Sequence, residues 1–375
     1  MDPWVEAAAA DIGRRAEREL EALVAVSSPS GDVHGADECA ALCAALAPGE
    51  AVIERPPCSS PAHAPDFLAT LRGTGRARIM LLGHVDTVVA HQAHRPLERR
   101  DGQLLGSGTV DMKGGDVLAL GALRALAGRH ERYAEVALLL VCDEEWRTRP
   151  LHHVERFAGW DACMCFEAGE LGPGDAEGVV VQRKAAATVR VQARGRSAHS
   201  GSAPDRGRNA LLALAAAAQA VAGCHDPEGL QHLSAVPTIL RSGEAFNVVP
   251  GRGELFCDCR ADDLGAVDGV VGAIPAEVGG VRLEPETIRR WPGMVRNAAV
   301  EPVLERASAA LGRPVVGARR GGASDASHMA ASIPVTIDGL GPRGGKAHNP
   351  GEFVLAESLH SRAEVALAMI DAVLG

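Results

Sequence analysis

The sequence predicts an α/β chain of two units, a larger α/β/α one interrupted by a smaller α+β insertion. Wholly apolar runs at 79–82, 136–141 and 162–166 recur between helical patterns, as in a covered, mostly parallel sheet. Beyond residue 179 apolar residues alternate with polar or small ones, as in an antiparallel sheet with one wet face. At 375 residues the chain also exceeds the usual size of one core. Residues 1–178 with 294–375 therefore form the larger unit, and 179–293 the insertion.

In order, 4–26 reads as a helix, its alanines, Ile12, Leu20, Leu23 and Val24 making an apolar side that Ser27 to Gly31 ends. A second helix covers 35–47. Short strands follow at 51–54 and 67–71, then the stronger strand 78–83, and a helix opening at Asp111 runs to 126. The next strands, 136–141 and 162–166, end in carboxylates. In the insertion, 179–193 alternates, 209–221 is an alanine-rich helix, and 233–240, 247–249 and 253–260 are strands. Residues 262–279 read as mostly helix and 281–286 as the last strand there. The larger unit resumes after Trp291-Pro292-Gly293 with a helix at 298–311, a segment at 323–331, a strand at 333–337 and a closing helix at 359–374. The Gly- or Pro-containing crossings at 176–180 and 291–295 are hinge positions. No tandem repeat or low-complexity linker occurs.

Composition excludes several classes. The net charge is -10 with no basic block, which argues against nucleic acid or an acidic membrane as partner. No apolar run reaches transmembrane length, and the N-terminus, with Asp2 before Pro3, reads as a helix start and not a leader. Nine scattered cysteines, several in apolar strands, read as reduced thiols in a cytoplasmic protein. There is no phosphate-loop or dinucleotide signature in a strand-to-helix context, and no G-x-S-x-G elbow.

The chemistry-bearing residues fall at element ends. His84 and Asp86 are two apart at the end of a strand, so they share a face, and Asp86 is placed to orient a ligating His84 ring. Asp111 follows a glycine-rich turn, Glu144 and Glu145 follow the strand 136–141, and Glu167 ends the strand 162–166. His348 lies in a Gly-rich loop. Singly, each has a plain structural reading: a hydrogen-bonded core histidine, a helix cap, solvated strand-end charges, a loop residue. Jointly, two histidines and three carboxylates suit a pair of divalent ions, one carboxylate bridging and two further ligands to each ion. Glu144 is then left over as a proton acceptor.

Gly83-His84-Val85-Asp86-Thr87, Gly106 through Gly115, Asp143-Glu144-Glu145 and Gly195 through Gly201 resemble the M20 metallopeptidase family. Its members include glutamate carboxypeptidase, succinyl-diaminopimelate desuccinylase, acetylornithine deacetylase and aminoacylases. The resemblance spans almost the whole chain and implies a zinc-peptidase-like catalytic domain with an inserted lid and dimerisation domain. It implies that Asp111 bridges two ions, His84 and Glu167 completing one shell and Glu145 and His348 the other. Glu144 would be the general base and Asp86 the partner of His84. The ions would be zinc, with cobalt or manganese as alternatives.

The same resemblance makes His199 an oxyanion donor, contributed across a homodimer, where composition alone reads it as a turn residue. Asn247 and Arg260 would bind the substrate carboxylate or carbonyl, Arg260 through its fork of donors. Local turn bonding and a solvated edge charge are their plain readings. Gly322 and Ser324, in Gly321-Gly322-Ala323-Ser324-Asp325, resemble residues of a loop facing the substrate. The expected activity is metal-dependent hydrolysis of a small peptide by a carboxypeptidase-type exopeptidase. The alternative is an N-acyl-amino-acid amidohydrolase using the same site.

Overall fold

The computed structural model describes residues 1–375, the side chain of Asp175 aside. A six-stranded sheet organises the larger unit, in the order Val52–Glu54, Phe67–Arg72, Tyr133–Val141, Ala77–His84, Ala162–Cys165, Val335–Ile337. The last four strands run parallel, and Phe67–Arg72 pairs antiparallel with both of its neighbours. Buried on both faces, the central strands Tyr133–Val141, Ala77–His84 and Ala162–Cys165 are largely apolar because each face has its own core. Ile79 and Leu81 point into the cluster shared with helices Pro3–Ala25, Gly114–Ala127 and Ala356–Leu374. Met80 and Leu82 point the other way, toward Leu151, Phe157, Trp160 and Met329.

Register decides where the strands deliver their ends. His84 pairs with Val141, and Leu82 with Cys165, so three neighbouring parallel strands finish at one level. The residues that follow, Glu144-Glu145 and Glu167, are thereby brought beside His84. Such carboxyl ends are where open α/β sheets bind ligands.

The helix expected to open at Asp111 begins later, at Gly114. Residues Thr109–Lys113 form a wide turn with non-helical dihedrals at Asp111 and Met112. Asp111 therefore caps nothing, and its carboxylate is left for the cleft. A Cβ on Gly115 would come within 1.9 Å of the Phe166 carbonyl oxygen, so only glycine lets this helix start approach the strand end that carries Glu167.

The alternation across 179–193 covers two strands. Glu177–Arg183 pairs in parallel with Val315–Arg320, and its Val179, Val180 and Val181 are buried in the larger unit's clusters. The insertion's own sheet starts at Ala185 and runs Ser234–Ser242, Arg252–Ala261, Ala185–Arg194, Val281–Trp291, Glu277–Val278. Ala187, Val189 and Val191 face helices Ala210–Ala222 and Gly265–Ala273, so Ala186, Thr188 and Arg190 face the opposite way. Where a helix was expected over 262–279, the helix stops at Ala273 and Glu277–Val278 adds a short edge strand. The expected strand 281–286 continues to Trp291. No helix among the described residues is long and apolar enough to cross a membrane, and the nine cysteines are unpaired.

Candidate active site

The five residues expected as ligands converge. His84 Nδ1 lies 3.0 Å from the Asp86 backbone carbonyl, so it must carry a hydrogen, and Nε2 is turned to the cleft. That Nε2 stands 3.2 Å from Asp111 Oδ1 and 3.8 Å from Glu167 Oε1. His348 Nε2 stands 3.0 Å from Asp111 Oδ2 and 3.1 Å from Glu145 Oε2. Asp111 thus turns one oxygen to each histidine, with Glu167 on the His84 side and Glu145 on the His348 side. His348 has φ 63°, an uncommon value for a residue with a Cβ, of the kind that persists where surrounding structure holds it for function.

Electrostatics show how crowded this is. Burial pushes the Glu144 carboxyl up to about 7, with Glu145 and Asp111 adding to the rise and His84 opposing it. Burial raises Glu145, and raises Glu167 well above the carboxylate range, Asp111 contributing in both. Asp111 itself is held low: hydrogen bonds from His348 and His84 outweigh its burial. Those to Asp111 and Glu145 in turn push His348 up to about 10. Glu145 Oε1 is buried without a hydrogen-bond partner. Two imidazole nitrogens and three carboxylates, one of them with an orphaned oxygen, fit a pair of divalent cations, with a mixed N/O donor set suited to zinc, cobalt or manganese. Ligand atoms of His84, Asp111 and Glu145 all lie within 4.8 Å of one another. Cys58, Asp66 and Asp143 come as close. Their carboxylates, however, are already engaged, Asp143 by Arg147 and the Ser60 N–H, Asp66 by the Cys142 N–H and His153.

Asp86 does more than was expected. Its carboxylate Oδ1 is 3.4 Å from His84 Nδ1, and its two oxygens accept the backbone N–H groups of Glu144 and Glu145 at 3.1 and 3.2 Å. Three further residues went unnoticed in the sequence. Glu352 accepts the N–H groups of Gly108, Val110 and Asp111 at 3.1, 2.8 and 3.0 Å, fixing the turn that aims Asp111. Arg147, fully buried, pairs with Asp143 at 2.7 Å and with Asp325, tying the Glu144 strand end to the 321–325 loop. Asp116 lies buried beneath Gly83 with neither oxygen hydrogen-bonded, and burial raises its carboxyl well above the usual range.

The other expected site residues are scattered. His199 and Asn247 lie exposed in the insertion, where the Asn247 carbonyl accepts the Ser200 N–H. Arg260 Nε donates to Asp258 at 3.1 Å and Nη1 reaches the Gly321 carbonyl at 3.5 Å. Gly322 is exposed and its carbonyl accepts from Arg183 at 2.9 Å. Ser324 is fully buried and gives its hydroxyl to Asp338 at 2.5 Å, so that hydroxyl supports the loop and is not presented to the cleft.

A family model described as Peptidase family M20/M25/M40 matches residues 80–372. The chain belongs to this family. Among curated M20/M25/M40 relatives, carboxypeptidase G2 of Pseudomonas sp. (strain RS-16) is 25% identical over 321 residues, covering 81% of this chain and 76% of that protein. Succinyl-diaminopimelate desuccinylase of Methylorubrum extorquens (strain PA1) is 27% identical over 354 residues, covering 85% of this chain and 89% of that one. In fold, the crystal structure of aminopeptidase PepT from Bacillus cereus ATCC 10987 superposes with a TM-score of 0.76 at 23% identity, over 97% of this chain and 99% of that one. The protein is accordingly a metal-dependent M20 hydrolase of amide or peptide bonds, in the two-unit fold of that family.

Proposed function

We propose that the protein is an N-acyl-amino-acid amidohydrolase with a two-metal centre at His84, Asp111, Glu145, Glu167 and His348. The observation that carries this is Asp111, one oxygen toward each histidine, with Glu144 beside it and outside the ligand set. A divalent pair bound there would acidify water and polarise a carbonyl. Glu144, buried beside the ligands and not among them, takes the proton of the attacking water and hands it to the leaving nitrogen. Asp86 keeps the Glu144 backbone and the His84 ring in place. The deacylase reading stands ahead of the carboxypeptidase reading because desuccinylases recur among the relatives with the longest matched segments.

The insertion serves as a lid and as the contact between two copies. His199 Nδ1 accepts the Gly201 and Ser202 N–H groups at 3.1 and 3.2 Å, which leaves the hydrogen on an outward Nε2, the form that steadies an oxyanion. Val236, Ile239 and Leu240 on the edge strand Ser234–Ser242, with Leu212 and Phe246, are exposed and apolar, an edge that a second copy would cover. The test is mass-spectrometric assay of the zinc-loaded protein against N-acyl amino acids and dipeptides, beside light scattering. Release of free amino acids from the N-acyl series, abolished by chelator, and a dimer mass are expected. Cleavage of dipeptides alone would return the exopeptidase reading, and a monomer with full activity would remove His199 from across an interface.

A further inference from the structure

One cation on the cleft side of the insertion has no anion. Arg289 lies on Val281–Trp291 opposite Thr188, and Trp291 opposite Ala186; across the same central strand, Asp258 faces Thr188 and Arg260 faces Ala186. Because Ala187 and Val189 point into the insertion's core, these flanking residues share the sheet face turned away from it. The face meets the strand end that carries the general base: Trp291 packs against Arg147, which follows Glu144 in the chain, at 4.9 Å, and Glu144 is the charge that acts on Arg289 most. Arg260 and Arg147 each have a carboxylate partner. Arg289 has no ion pair among the described residues, and its Nε is buried with no acceptor. It is held instead over the ring of the fully buried Trp291, 4.6 Å from the centroid, with Arg147 at 4.9 Å from that ring.

A half-buried guanidinium whose Nε has no acceptor is costly, and a cation–π contact of about 0.5–2 kcal/mol offsets only part of that cost. Two more guanidinium groups nearby add repulsion. The other arginines with a buried, unpartnered Nε, Arg147, Arg190 and Arg343, each sit on a carboxylate through another nitrogen, and Arg289 does not. What relieves this arrangement is an anion delivered from the cleft. Arg260 and Arg289 start from strands on either side of the central one, roughly 10 Å apart, so they reach two separate groups of one small molecule.

We infer that Arg289 selects amide substrates bearing a second carboxylate, which it holds while Arg260 serves the first. This rests on the amidohydrolase reading and specifies its substrate class. The carboxylate would be bound through the free edge of the guanidinium, stacked on Trp291, the geometry in which arginine grips planar anions.

The experiment compares isosteric substrate pairs differing only in charge, an N-succinyl against an N-succinamoyl amino acid and an acyl-glutamate against an acyl-glutamine, on the zinc-loaded wild type, Arg289→Met and Arg289→Lys. The wild type should prefer the charged member of at least one pair. Arg289→Met should shrink that preference roughly tenfold to a hundredfold, and Arg289→Lys should restore part of it. No wild-type preference, or equal losses on both members, overturns the inference. If no member is hydrolysed, the amidohydrolase reading fails by itself, and calorimetric titration with succinate and succinamate decides the present point. Succinate alone binding about tenfold more weakly to Arg289→Met supports it, and equal changes for both ligands overturn it.

Discussion

Asp86 Oδ1 accepts the backbone N–H of Glu144 at 3.1 Å, with both side chains buried. The partner of the histidine ligand is thus also the anchor of the proposed base, so one carboxylate sets the geometry of two different strand ends. Asp86→Ala should lower metal affinity about tenfold to a hundredfold, the usual cost of losing the group behind a ligand. It should also lower kcat at saturating zinc, because the Glu144 and Glu145 N–H groups lose their acceptor. Competition with a zinc chelator and steady-state kinetics separate the two effects. Wild-type kcat at full metal loading would show that the Glu144 contact is not needed.

Glu144→Gln should bind two equivalents of zinc yet lose about 10²–10⁴ in kcat. Glutamine keeps the shape of the side chain and removes only its capacity to take a proton. Metal analysis beside turnover measures this. Loss of metal from the variant would mean that Glu144 is itself a ligand, and normal turnover that the proton goes elsewhere.

Glu352→Ala should destabilise the metal-free protein by about 3 kcal/mol, since three backbone donors lose one buried acceptor, each such loss costing about 1–3 kcal/mol before water enters. The wide turn Thr109–Lys113 would then no longer hold Asp111 between the histidines, so both metal equivalents should bind more weakly. Urea unfolding and zinc titration give the two numbers. Unchanged zinc affinity in a destabilised variant would confine Glu352 to the fold.

The sequence exposed those parts of the site that depend on local pattern. An apolar run ending in His84, or in Glu144-Glu145 or Glu167, shows a buried strand and what its end presents, and parallel pairing then brings those ends together. Arg289 and Arg290 were opaque for the opposite reason. Adjacent arginines on a strand look alike, and only pairing shows that Arg290 meets Asp268 at 2.8 Å in solvent while Arg289 turns to the cleft. The irregular register between Thr188 and Val189 makes the facing harder still to read from alternation. Arg147 two residues after Glu145 reads as a surface charge until Asp325, 178 residues away, is seen to meet it. The crossing at Lys184 was hidden because two successive strands, in different sheets, keep the same period of two.

His328 should make the protein acid-sensitive in a defined window. Its ring stands edge-on to Trp291 at 4.8 Å, its Nε2 is buried without a partner, and burial together with Arg147 and Arg289 lowers its pKa to about 3, Asp143 opposing weakly. The unfolded chain protonates this histidine near 6.5, so between about 6.5 and 3 the unfolded state binds the extra proton. Stability from this residue is therefore complete above about pH 6.5 and falls as the pH drops toward 3, by up to about 5 kcal/mol. His328→Phe keeps an aromatic edge against Trp291 and removes the titration. Urea unfolding of both proteins between pH 7 and pH 4 should give curves that converge as the pH falls if the wild type is the more stable at neutral pH, or diverge in favour of the variant if it is not. Either way the difference should move toward the variant on acidification, and a difference independent of pH would place the proton on the folded ring as readily as on the unfolded one.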